Sequence, residues 1–500
     1  MAEICVSSHH SSIADLLQDS EFRLLVHREG FLVELRLDGY GDLGIAELDQ
    51  VLDIFSPNVV VTYRHPQEGG KRPDVSDTVR LGFLQHAARR GAAYVDIEAR
   101  TPRGQFQKHG SKLILSHHDF EGTPPAEQLI RQWESMRSAA GVDVVKIACA
   151  PKKIHESAAL LKLLVHARDA RSRQSTIALG MGEAGFWTRV VGPLFGSPLT
   201  FARGTAVSGT APGQPHWRDL DGLYRFRKIE PGWPVYGVIG NPIAHSLSPL
   251  LHNTALRQLN LDGVYLPFKV EGDPIEFVRD FMPLGLRGLS VTIPHKEMVQ
   301  SLCSEIDPVA ASIGAINTLV YRADGSWWGT NTDALAAASS LETAAGSLNE
   351  KRVLIIGAGG AARAVAFGIK SLGAKIFIIN RSHQRAIALA DAVGAKAINL
   401  SQLSTFPKMD IIVNTTPLGM FPGIEFTPLD KCNIPQGSIV FDSVYNPRRT
   451  RFLRLAEECG SKTLDGTTFF IGQGMQQVKL FTGREPDKES LEKIVLDALR

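Results

Sequence analysis

Residues 353–364, with the sequence VLIIGAGGAARA, decide the fold of the second half of this chain. An apolar run that favours a strand leads into a glycine-rich turn, and a run that favours a helix follows. Gly357 permits the tight turn, Gly359 lets the backbone approach a pyrophosphate, and Ala362 allows the helix to pack closely on the strand. The stretch therefore predicts a strand–turn–helix unit that binds a dinucleotide. The residues expected to contact the dinucleotide here are Gly357, Ala358, Gly359, Gly360 and Ala361.

The next predicted strand, residues 376–380, runs into Asn380, Arg381 and Ser382. Enzymes that use NAD place an acidic residue at the end of this strand, whereas an arginine suits the 2′-phosphate of NADP. We therefore predict NADP as the cofactor, with these three residues near its adenosine ribose. Further strands at 411–415 and 439–442 alternate with helical stretches, as expected for an open parallel sheet.

The bulk properties of the chain bound its class. Its 500 residues exceed what one hydrophobic core usually supports, so at least two domains are expected. A net charge of +2 gives no electrostatic reason to expect nucleic acid or an anionic membrane as a partner. The five cysteines are scattered without a CxxC pair, which argues against structural zinc or a disulfide framework. No signal-peptide core, transit peptide or apolar run of about 20 residues is visible, so we expect a cytoplasmic protein without a metal site.

The first half alternates short apolar strands with longer helical stretches. This alternation predicts a compact (β/α)8 barrel, with a doubly wound open sheet as the alternative. No glycine-rich phosphate turn follows the first strand, which favours the barrel. The predicted strands are 4–6, 32–38, 59–64, 94–99, 113–118, 144–148, 176–181 and 199–202.

Three polar side chains near the ends of the predicted barrel strands suggest chemistry. Lys146 is flanked by apolar residues, and desolvation beside other cations favours the neutral amine that attacks a ketone to form a Schiff base. His118 is a suitable general acid and base, and Glu98 is expected to orient its ring. Strand parity predicts that His117 faces away. The alternative is that Lys146 is only an ion-pair partner at the barrel mouth.

The ordered motifs ELRLD (34–38), TYR (62–64), DIE (96–98), SHHDF (116–120), VKIA (145–148), MGEAGFWTR (181–189) and TAPGQ (210–214) resemble type I 3-dehydroquinate dehydratase. The resemblance implies that Lys146 is the Schiff-base lysine, that His118 carries the proton, and that Glu98 is its partner. Trp187 and Thr188 precede Arg189 where the family commonly has a serine, and Thr210 also replaces a serine. The implied substrate-binding residues are Glu34, Arg36, Arg64, Arg189, Thr210 and Gln214.

The segment RFRKIEPGWP (225–234) separates the two halves, because its prolines and glycine cannot continue a helix. We predict four parts: a barrel (1–225), a linker (226–234), a substrate-binding lobe (235–334) and a nucleotide-binding lobe (335–500). The C-terminal helices of the last part are expected to return to the substrate lobe. Strands of the substrate lobe are predicted at 264–270, 288–293 and 317–321.

The substrate lobe carries several hydrogen-bonding motifs. NPIAHSLSP (241–249) places Ser246 and Ser248 two residues apart, where both hydroxyls can bind one carboxylate, although SLSP equally fits a helix N-cap. Lys296 and Asp333 form a pair suited to proton-coupled hydride transfer. Neutral groups for a polyol acid are supplied by Thr292 and Asn317.

Together these motifs resemble shikimate dehydrogenase from residue 235 to the C-terminus, with a Rossmann lobe that binds NADP. The resemblance implies that Lys296 and Asp333 are the catalytic pair, and that two serines favour shikimate over quinate. The implied substrate contacts are Ser246, Ser248, Thr292, Asn317, Tyr445 and Gln473. The implied nicotinamide contacts are Thr415, Thr416 and Met420.

The two resemblances imply successive reactions. The first half would dehydrate 3-dehydroquinate to 3-dehydroshikimate, and the second would reduce that ketone to shikimate with NADPH. Two alternatives stay open: a quinate-type dehydrogenase in the second half, or a catalytically inactive regulatory or binding protein. The joint presence of Lys146, His118, Lys296 and Asp333 argues against the inactive protein.

Overall fold

The computed structural model describes residues 1–26, 31–41, 43–104, 106–204, 211–405 and 407–499. Contacts divide the chain into two compact units. The first unit comprises Met1–Val235 together with Asp262–Leu286, and the second comprises Tyr236–Leu261 together with Arg287–Arg500. We call residues Asp262–Leu286 the docked segment. Each unit is described separately below.

Eight parallel strands form the barrel of the first unit. They pair in sequence order from β1 to β7, and β8 returns to pair with β1. No pairing joins β7 to β8 in the described part of the chain, so the barrel is nearly closed. The predicted fold and all eight predicted strands are confirmed. The strands are β1 (Glu3–Ser7), β2 (Phe31–Arg36), β3 (Val59–Thr62), β4 (Tyr94–Glu98), β5 (Lys112–Asp119), β6 (Val144–Cys149), β7 (Ser175–Gly180) and β8 (Leu199–Arg203).

Helices connect most of these strands, as the crossover between parallel neighbours requires. Serine hydroxyls cap two of them: Ser12 accepts a hydrogen bond from the Asp15 N–H, and Ser76 accepts one from the Val79 N–H. The helices are α1 (Ile13–Gln18), α2 (Ser20–Val26), α3 (Ile45–Phe55), α4 (Asp77–Arg89), α5 (Ala126–Arg137), α6 (Ile154–Asp169) and α7 (Phe186–Val191).

The barrel interior is filled by side chains that alternate strands direct inward, so it is a packed core and not a pore. The polar side chains that could carry chemistry are therefore confined to the carboxyl ends of the strands. The interior cluster consists of Cys5, Leu32, Val60, Tyr94, Ile114, Val144, Ala148, Ile177, Leu179, Leu199 and Phe201.

The next four elements along the chain are β9 (Val235–Gly240), α8 (Ser248–Gln258), β10 (Val264–Lys269) and α9 (Pro274–Phe281). Helix α8 belongs to the second unit, whereas β10 and α9 lie in the docked segment and belong to the first.

The substrate lobe of the second unit is built on a mixed sheet. Strand β13 runs antiparallel to both β11 and β14, while β12 is parallel to β14. Strands β12 and β14 were not predicted. The elements that follow α9 in this lobe are β11 (Leu286–Val291), β12 (Cys303–Ile306), α10 (Pro308–Ile313), β13 (Thr318–Tyr321), β14 (Trp327–Thr330) and α11 (Asp333–Ala345).

The nucleotide lobe is a parallel sheet of six strands in the order β17-β16-β15-β18-β19-β20. In sequence terms this order is 3-2-1-4-5-6, the Rossmann arrangement. The order reverses between β15 and β18, where such sheets bind their ligand. The elements are β15 (Arg352–Ile356), α12 (Gly360–Lys370), β16 (Lys375–Ile379), α13 (His383–Val393), β17 (Lys396–Ala397), β18 (Ile411–Asn414), β19 (Ile439–Asp442), α14 (Arg451–Glu458) and β20 (Lys462–Leu464).

Two C-terminal helices, α15 (Gly466–Thr482) and α16 (Lys488–Ala498), pack against α8 of the substrate lobe. Their shared core consists of Leu251, Ala255, Phe470, Ile471, Val478, Leu491 and Val495. Within the described ranges, no helix is long and apolar enough to cross a membrane.

Candidate active sites

A small cavity of about 100 Å³ lies at the carboxyl ends of the barrel strands. In this position barrel enzymes keep their catalytic groups. Seven of the residues predicted for the first site line it together. They are Glu34, Arg36, Arg64, His118, Lys146, Arg189 and Gln214. Of the other two, Glu98 is not part of the cavity wall, and Thr210 lies outside the described residues.

Lys146 is both an ion-pair partner and a cavity residue. Its Nζ lies 3.0 Å from Asp96 Oδ2 and 3.9 Å from the centre of the Phe201 ring. The residue is only 4% exposed. Lys146 therefore makes the ion pair that the alternative interpretation describes, and the same side chain also lines the cavity.

Asp96 is the centre of this charge cluster, and the sequence analysis gave it no role. Arg64 donates hydrogen bonds of 3.1 and 3.0 Å to its two oxygens, and Ser116 donates another. Burial raises the pKa of Asp96, but the charges of Arg64 and Lys146 and the hydrogen bonds from Arg64 outweigh it and hold that pKa well below its usual value. Asp96 thus remains a carboxylate and fixes the position of the Lys146 amine.

His118 is oriented by Glu68. One oxygen, Glu68 Oε2, lies 3.0 Å from His118 Nδ1 and accepts a 3.0 Å hydrogen bond from the His118 backbone N–H. This contact occupies Nδ1 and leaves Nε2 available to the cavity. Burial and the charges of Arg64 and Lys146 lower the pKa of His118 well below its usual value. Burial also raises the pKa of Glu68, to about 7.

The predicted pairing of Glu98 with His118 is wrong. Glu98 instead accepts hydrogen bonds from Arg64 Nη1 at 3.1 Å, from the His65 backbone N–H at 2.9 Å and from Arg80. Strand parity correctly predicts that Glu98 lies on the inner face of the barrel. Its carboxylate, however, is bound by Arg64 and Arg80. His117 does not line the cavity, and its ring approaches the second oxygen of Glu68 at 4.0 Å.

Arg36 and Arg189 are two further cations that line the cavity. Asp38 accepts two hydrogen bonds of 2.9 Å from Arg36, so Arg36 is held rigidly. Arg189 makes only long contacts of 3.5 and 3.4 Å to the carbonyls of Phe201 and Pro212, and among the described residues its Nε has no partner. Burial lowers the pKa of Arg189 to about 10. A buried guanidinium of this kind is suited to an anionic substrate group.

A larger cavity of about 660 Å³ lies within the second unit. It brings together all the predicted substrate and catalytic residues of that half, and most of the predicted cofactor residues. These are Ser246, Ser248, Thr292, Lys296, Asn317, Asp333, Gly357, Ala358, Gly359, Gly360, Ala361, Asn380, Thr415, Thr416, Met420, Tyr445 and Gln473.

Lys296 and Asp333 form an ion pair in this wall. Asp333 is the first residue of α11, and its other oxygen accepts a 2.8 Å hydrogen bond from Asn317. Asn317 also exchanges hydrogen bonds with Thr332, donating to its hydroxyl and accepting from its N–H at 2.9 Å each. Because the network holds the Asp333 carboxylate from two sides, the Lys296 amine has a fixed partner.

The two serines predicted to bind a carboxylate both line this cavity. Helix α8 begins at Ser248, whose N–H donates a 3.2 Å hydrogen bond to the Ser246 hydroxyl. The N-cap alternative is wrong, because Leu247 occupies the N-cap position and no side chain of the described residues caps the helix; the Ser246 hydroxyl lines the cavity. Tyr445 is held by a stacked contact with Phe470 at 4.4 Å. Gln477, which sequence reasoning missed, accepts from Ser290 at 2.7 Å and donates to Thr318.

The glycine-rich turn fits a dinucleotide. Gly357 has a φ of +118°, and a Cβ there would overlap the Thr415 hydroxyl. Gly359 faces open space at the start of α12, so nothing obstructs a phosphate at the helix N-terminus. Asn380 lines the same cavity, and so does Arg385 on the first turns of α13. Arg381 and Ser382 are exposed and do not line it.

Comparison with known proteins follows the same division. Residues 4–231 match the sequence model of type I 3-dehydroquinase, residues 238–319 match the shikimate dehydrogenase substrate binding domain, and residues 339–418 match shikimate / quinate 5-dehydrogenase. The bifunctional 3-dehydroquinate dehydratase/shikimate dehydrogenase of Arabidopsis thaliana, a chloroplastic protein, is 37% identical over 92% of this chain and 78% of its own length. The chain belongs to this bifunctional family.

Family membership confirms both resemblances and the two enzyme classes they imply. The second half is also similar to single-function relatives. The shikimate dehydrogenase (NADP(+)) of Bacillus cereus strain B4264 is 40% identical over 53% of this chain and 98% of its own length. A crystal structure of a shikimate dehydrogenase in complex with NADP+ has a TM-score of 0.51 and 36% identity, covering 54% of this chain and 96% of that one.

One departure from the dehydratase family pattern now has a structural explanation. Thr188 accepts a 2.8 Å hydrogen bond from the Gly180 N–H and donates one of 2.6 Å to the Gly185 carbonyl. Its hydroxyl therefore ties α7 to the end of β7, as a serine hydroxyl could. The Trp187 ring instead packs against Phe281.

Proposed function

We propose that the first unit dehydrates 3-dehydroquinate to 3-dehydroshikimate and that the second unit reduces this product to shikimate with NADPH. The observation that carries the proposal is that each predicted set of catalytic groups lines one cavity of its own unit. The four predicted parts (1–225, 226–234, 235–334 and 335–500) remain our division by function. Both substrates are small molecules, so no nucleic acid or membrane partner is required.

In the dehydratase, Lys146 attacks the substrate ketone, and the carbonyl oxygen leaves as water to give an iminium. The iminium withdraws electrons from the adjacent carbon, whose proton passes to His118 Nε2. His118 returns this proton to the hydroxyl group that leaves from the next carbon, and hydrolysis frees the product. One water is lost overall. Arg189 is positioned to bind the substrate carboxylate through two parallel hydrogen bonds.

In the dehydrogenase, bound NADPH supplies the hydride. Lys296 donates a proton to the ketone oxygen as charge develops there, and Asp333 holds the lysine in place through the network with Asn317. The Ser246 and Ser248 hydroxyls bind the substrate carboxylate. Thr415, Thr416 and Met420 line the same cavity and would contact the nicotinamide of the bound cofactor.

The choice of NADP is supported by two arginines at the end of β16 and the start of α13. Arg385 lines the cavity, and Arg381 lies two residues before α13 with its side chain exposed. Guanidinium groups at this place suit a 2′-phosphate, whereas an acidic residue would suit NAD.

A quinate-type dehydrogenase is the second candidate for the second half, because the matching family model covers shikimate and quinate enzymes alike. The Ser246–Ser248 pair favours shikimate. Oxidation rates with shikimate and with quinate distinguish the two: we expect kcat/KM to be higher for shikimate, and a higher value for quinate would replace our assignment.

Borohydride trapping tests the dehydratase half. Borohydride reduces an iminium to a stable secondary amine, so 3-dehydroquinate plus borohydride should inactivate the enzyme and add a substrate-derived mass to the peptide that contains Lys146. Omission of 3-dehydroquinate should protect the enzyme. An unmodified Lys146 in the inactivated protein would overturn the covalent mechanism.

We also propose a cytoplasmic location, because the five cysteines are free where the structure describes them and form no disulfide framework. Fractionation of cells that express the full chain tests this: the protein should appear with soluble cytoplasmic enzymes, and enrichment in an organelle fraction would contradict it.

A further inference from the structure

The docked segment (Asp262–Leu286) packs on α6 and α7 of the barrel. Helix α9 lies along α6, and the turn before it brings Gly272 against the His155 ring. Eight of the 16 residues of α6 are buried, and the helix contacts β7 of the barrel as well as α9 of the docked segment, so it is covered from two sides. The covered surface thus belongs to the helices around the β7–β8 side of the barrel.

An aromatic cluster forms the centre of this contact. Trp187 of α7 meets Phe281 of α9 edge to face, with ring centres 5.4 Å apart. Phe281 in turn stacks on Phe277 at 4.6 Å and lies 6.0 Å from Phe268 of β10. All four rings are at most 1% exposed. Such packing is worth more than scattered contacts, since it combines buried area with preferred ring geometry.

Helix α7 carries both Trp187 and the substrate arginine, Arg189. On its inner side α7 is tied to β7 by Thr188, and the Trp187 indole donates a 2.9 Å hydrogen bond to Ser157 of α6. The Trp187 ring also packs against Phe281 of the docked segment. Because β7 and β8 do not pair in the described residues, strand pairing does not fix this side of the barrel.

An ion pair supports the same region. Lys269 of β10 lies 3.1 Å from Glu183, which opens the turn between β7 and α7. Met181, two residues before Glu183, lines the dehydratase cavity. Between them, the Gly182 N–H donates a 3.1 Å hydrogen bond to the Pro212 carbonyl. The docked segment therefore touches the β7–β8 connection at two places, the turn at Glu183 and the helix α7.

We infer that the docked segment is a positioning element of the dehydratase site, and that Phe281 acts through Trp187 to hold Arg189 toward the cavity. The segment lies within residues 238–319, which match the substrate-binding domain of shikimate dehydrogenase. One stretch of dehydrogenase sequence thus serves the other activity. This inference rests on the proposed dehydratase function.

The weak local contacts of Arg189 make it dependent on this support. Among the described residues its guanidinium reaches two carbonyls, at 3.4 and 3.5 Å, so the direction of the side chain follows the placement of α7. Removal of the Phe281 ring leaves a void against Trp187, into which α7 can shift. A displacement of about 1 Å in a group that positions substrate can cost on the order of 100-fold in rate.

The test uses Phe281→Ala and the milder Phe281→Leu in the full chain, with both activities assayed. We expect Phe281→Ala to raise the dehydratase KM for 3-dehydroquinate roughly tenfold with a smaller change in kcat. Phe281→Leu should fall between Phe281→Ala and the parent, and keeps the test available if the alanine variant does not fold. In an Arg189→Ala background, Phe281→Ala should have little further effect on kcat/KM, since both changes act on one interaction.

The control is Phe452→Ala, which removes an equally buried phenylalanine from α14 in the second unit. It should leave the dehydratase KM unchanged. An unchanged KM in folded Phe281→Leu and Phe281→Ala proteins, effects that multiply with Arg189→Ala, or an equal KM shift in Phe452→Ala would each overturn the inference. Absence of dehydratase activity in the parent chain would instead reject the proposed function.

Discussion

Glu68 and His118 form a buried pair in which each group is pushed toward its neutral form. Burial raises the pKa of Glu68 to about 7 and lowers the pKa of His118 well below its usual value. Because its pKa is lowered, His118 is neutral near pH 7. The group of this pair that changes charge near pH 7 is therefore Glu68. The acid side of the dehydratase pH profile should therefore report Glu68.

Glu68→Gln tests this assignment. In the parent enzyme, kcat/KM should fall as pH drops through about 7, because protonation of Glu68 removes the negative charge that holds the His118 Nδ1–H. Glu68→Gln should lower the plateau about 10- to 100-fold and remove that inflection, since the amide does not titrate. Glu134→Gln, on a half-exposed residue of α5, is the control. Persistence of the inflection in Glu68→Gln would assign it to another group.

Arg385 is the clearest cofactor residue that sequence reasoning missed. If its guanidinium binds the 2′-phosphate, Arg385→Ala should raise the KM for NADPH at least tenfold, as loss of a charged hydrogen bond of about 1.5–3 kcal/mol implies, and leave NADH unaffected. Arg381→Ala should act in the same direction. Arg454→Ala, on an exposed arginine of α14, should change neither KM. Equal kcat/KM for NADPH and NADH in the parent would contradict the NADP assignment.

The residues found and missed at this scale follow one physical rule. Lys146, His118 and Glu34 lie on regular strands, where a period of two decides which side chains face inward. Glu68 lies in a turn after β3, where no period applies, and Arg385 requires the helix α13 to be placed first. Glu98 was misassigned because parity gives the face of a side chain but not its nearest charged neighbour.

Among the elements, α8 joins the C-terminal helices to the substrate lobe. Leu251 is fully buried in the core that α8 shares with α15 and α16. Leu251→Ala should lower the free energy of unfolding of the dehydrogenase unit by about 2–5 kcal/mol, because it removes apolar contacts and leaves a cavity. This change in the free energy of unfolding is measured by chemical denaturation, with dehydrogenase activity as the readout.

Leu335→Ala is the matched control, because Leu335 of α11 is 61% exposed and its loss should change stability by no more than about 0.5 kcal/mol. Equal destabilisation by the two substitutions would mean that the α8 core does not hold the lobe together. At the denaturant concentration at which the Leu251→Ala protein loses its dehydrogenase activity, it should still have dehydratase activity.

Element prediction succeeded where apolar runs are long and alternate with helices. The eight barrel strands and the strands β15, β16, β18 and β19 have that pattern. Strands β12 (CSEI), β14 (WWGT), β17 (KA) and β20 (KTL) contain at most one Val, Ile or Leu each, whereas β18 (IIVN) and β19 (IVFD) are also short but mostly apolar. That the docked segment belongs to the first unit could not be predicted from the sequence, because it depends on long-range packing between Trp187 and Phe281.

At the scale of the whole molecule, the two predicted sets of catalytic residues line separate cavities. No residue lines both cavities in the described part of the chain. Lys146→Ala should therefore abolish dehydration, since no other amine lies in that wall, and leave shikimate oxidation within about twofold of the parent. Lys152→Ala, on an exposed lysine after β6, should affect neither activity. Loss of both activities in a folded Lys146→Ala protein would show that the units are coupled.

The joint conversion is the most direct measurement of the central claim. The full chain is supplied with 3-dehydroquinate and NADPH, and shikimate and NADPH are quantified together. We predict one shikimate formed and one NADPH oxidised for each 3-dehydroquinate consumed, and no product from Lys146→Ala unless 3-dehydroshikimate is added. Accumulation of 3-dehydroshikimate without NADPH oxidation, or formation of shikimate from 3-dehydroquinate by Lys146→Ala, would contradict the account.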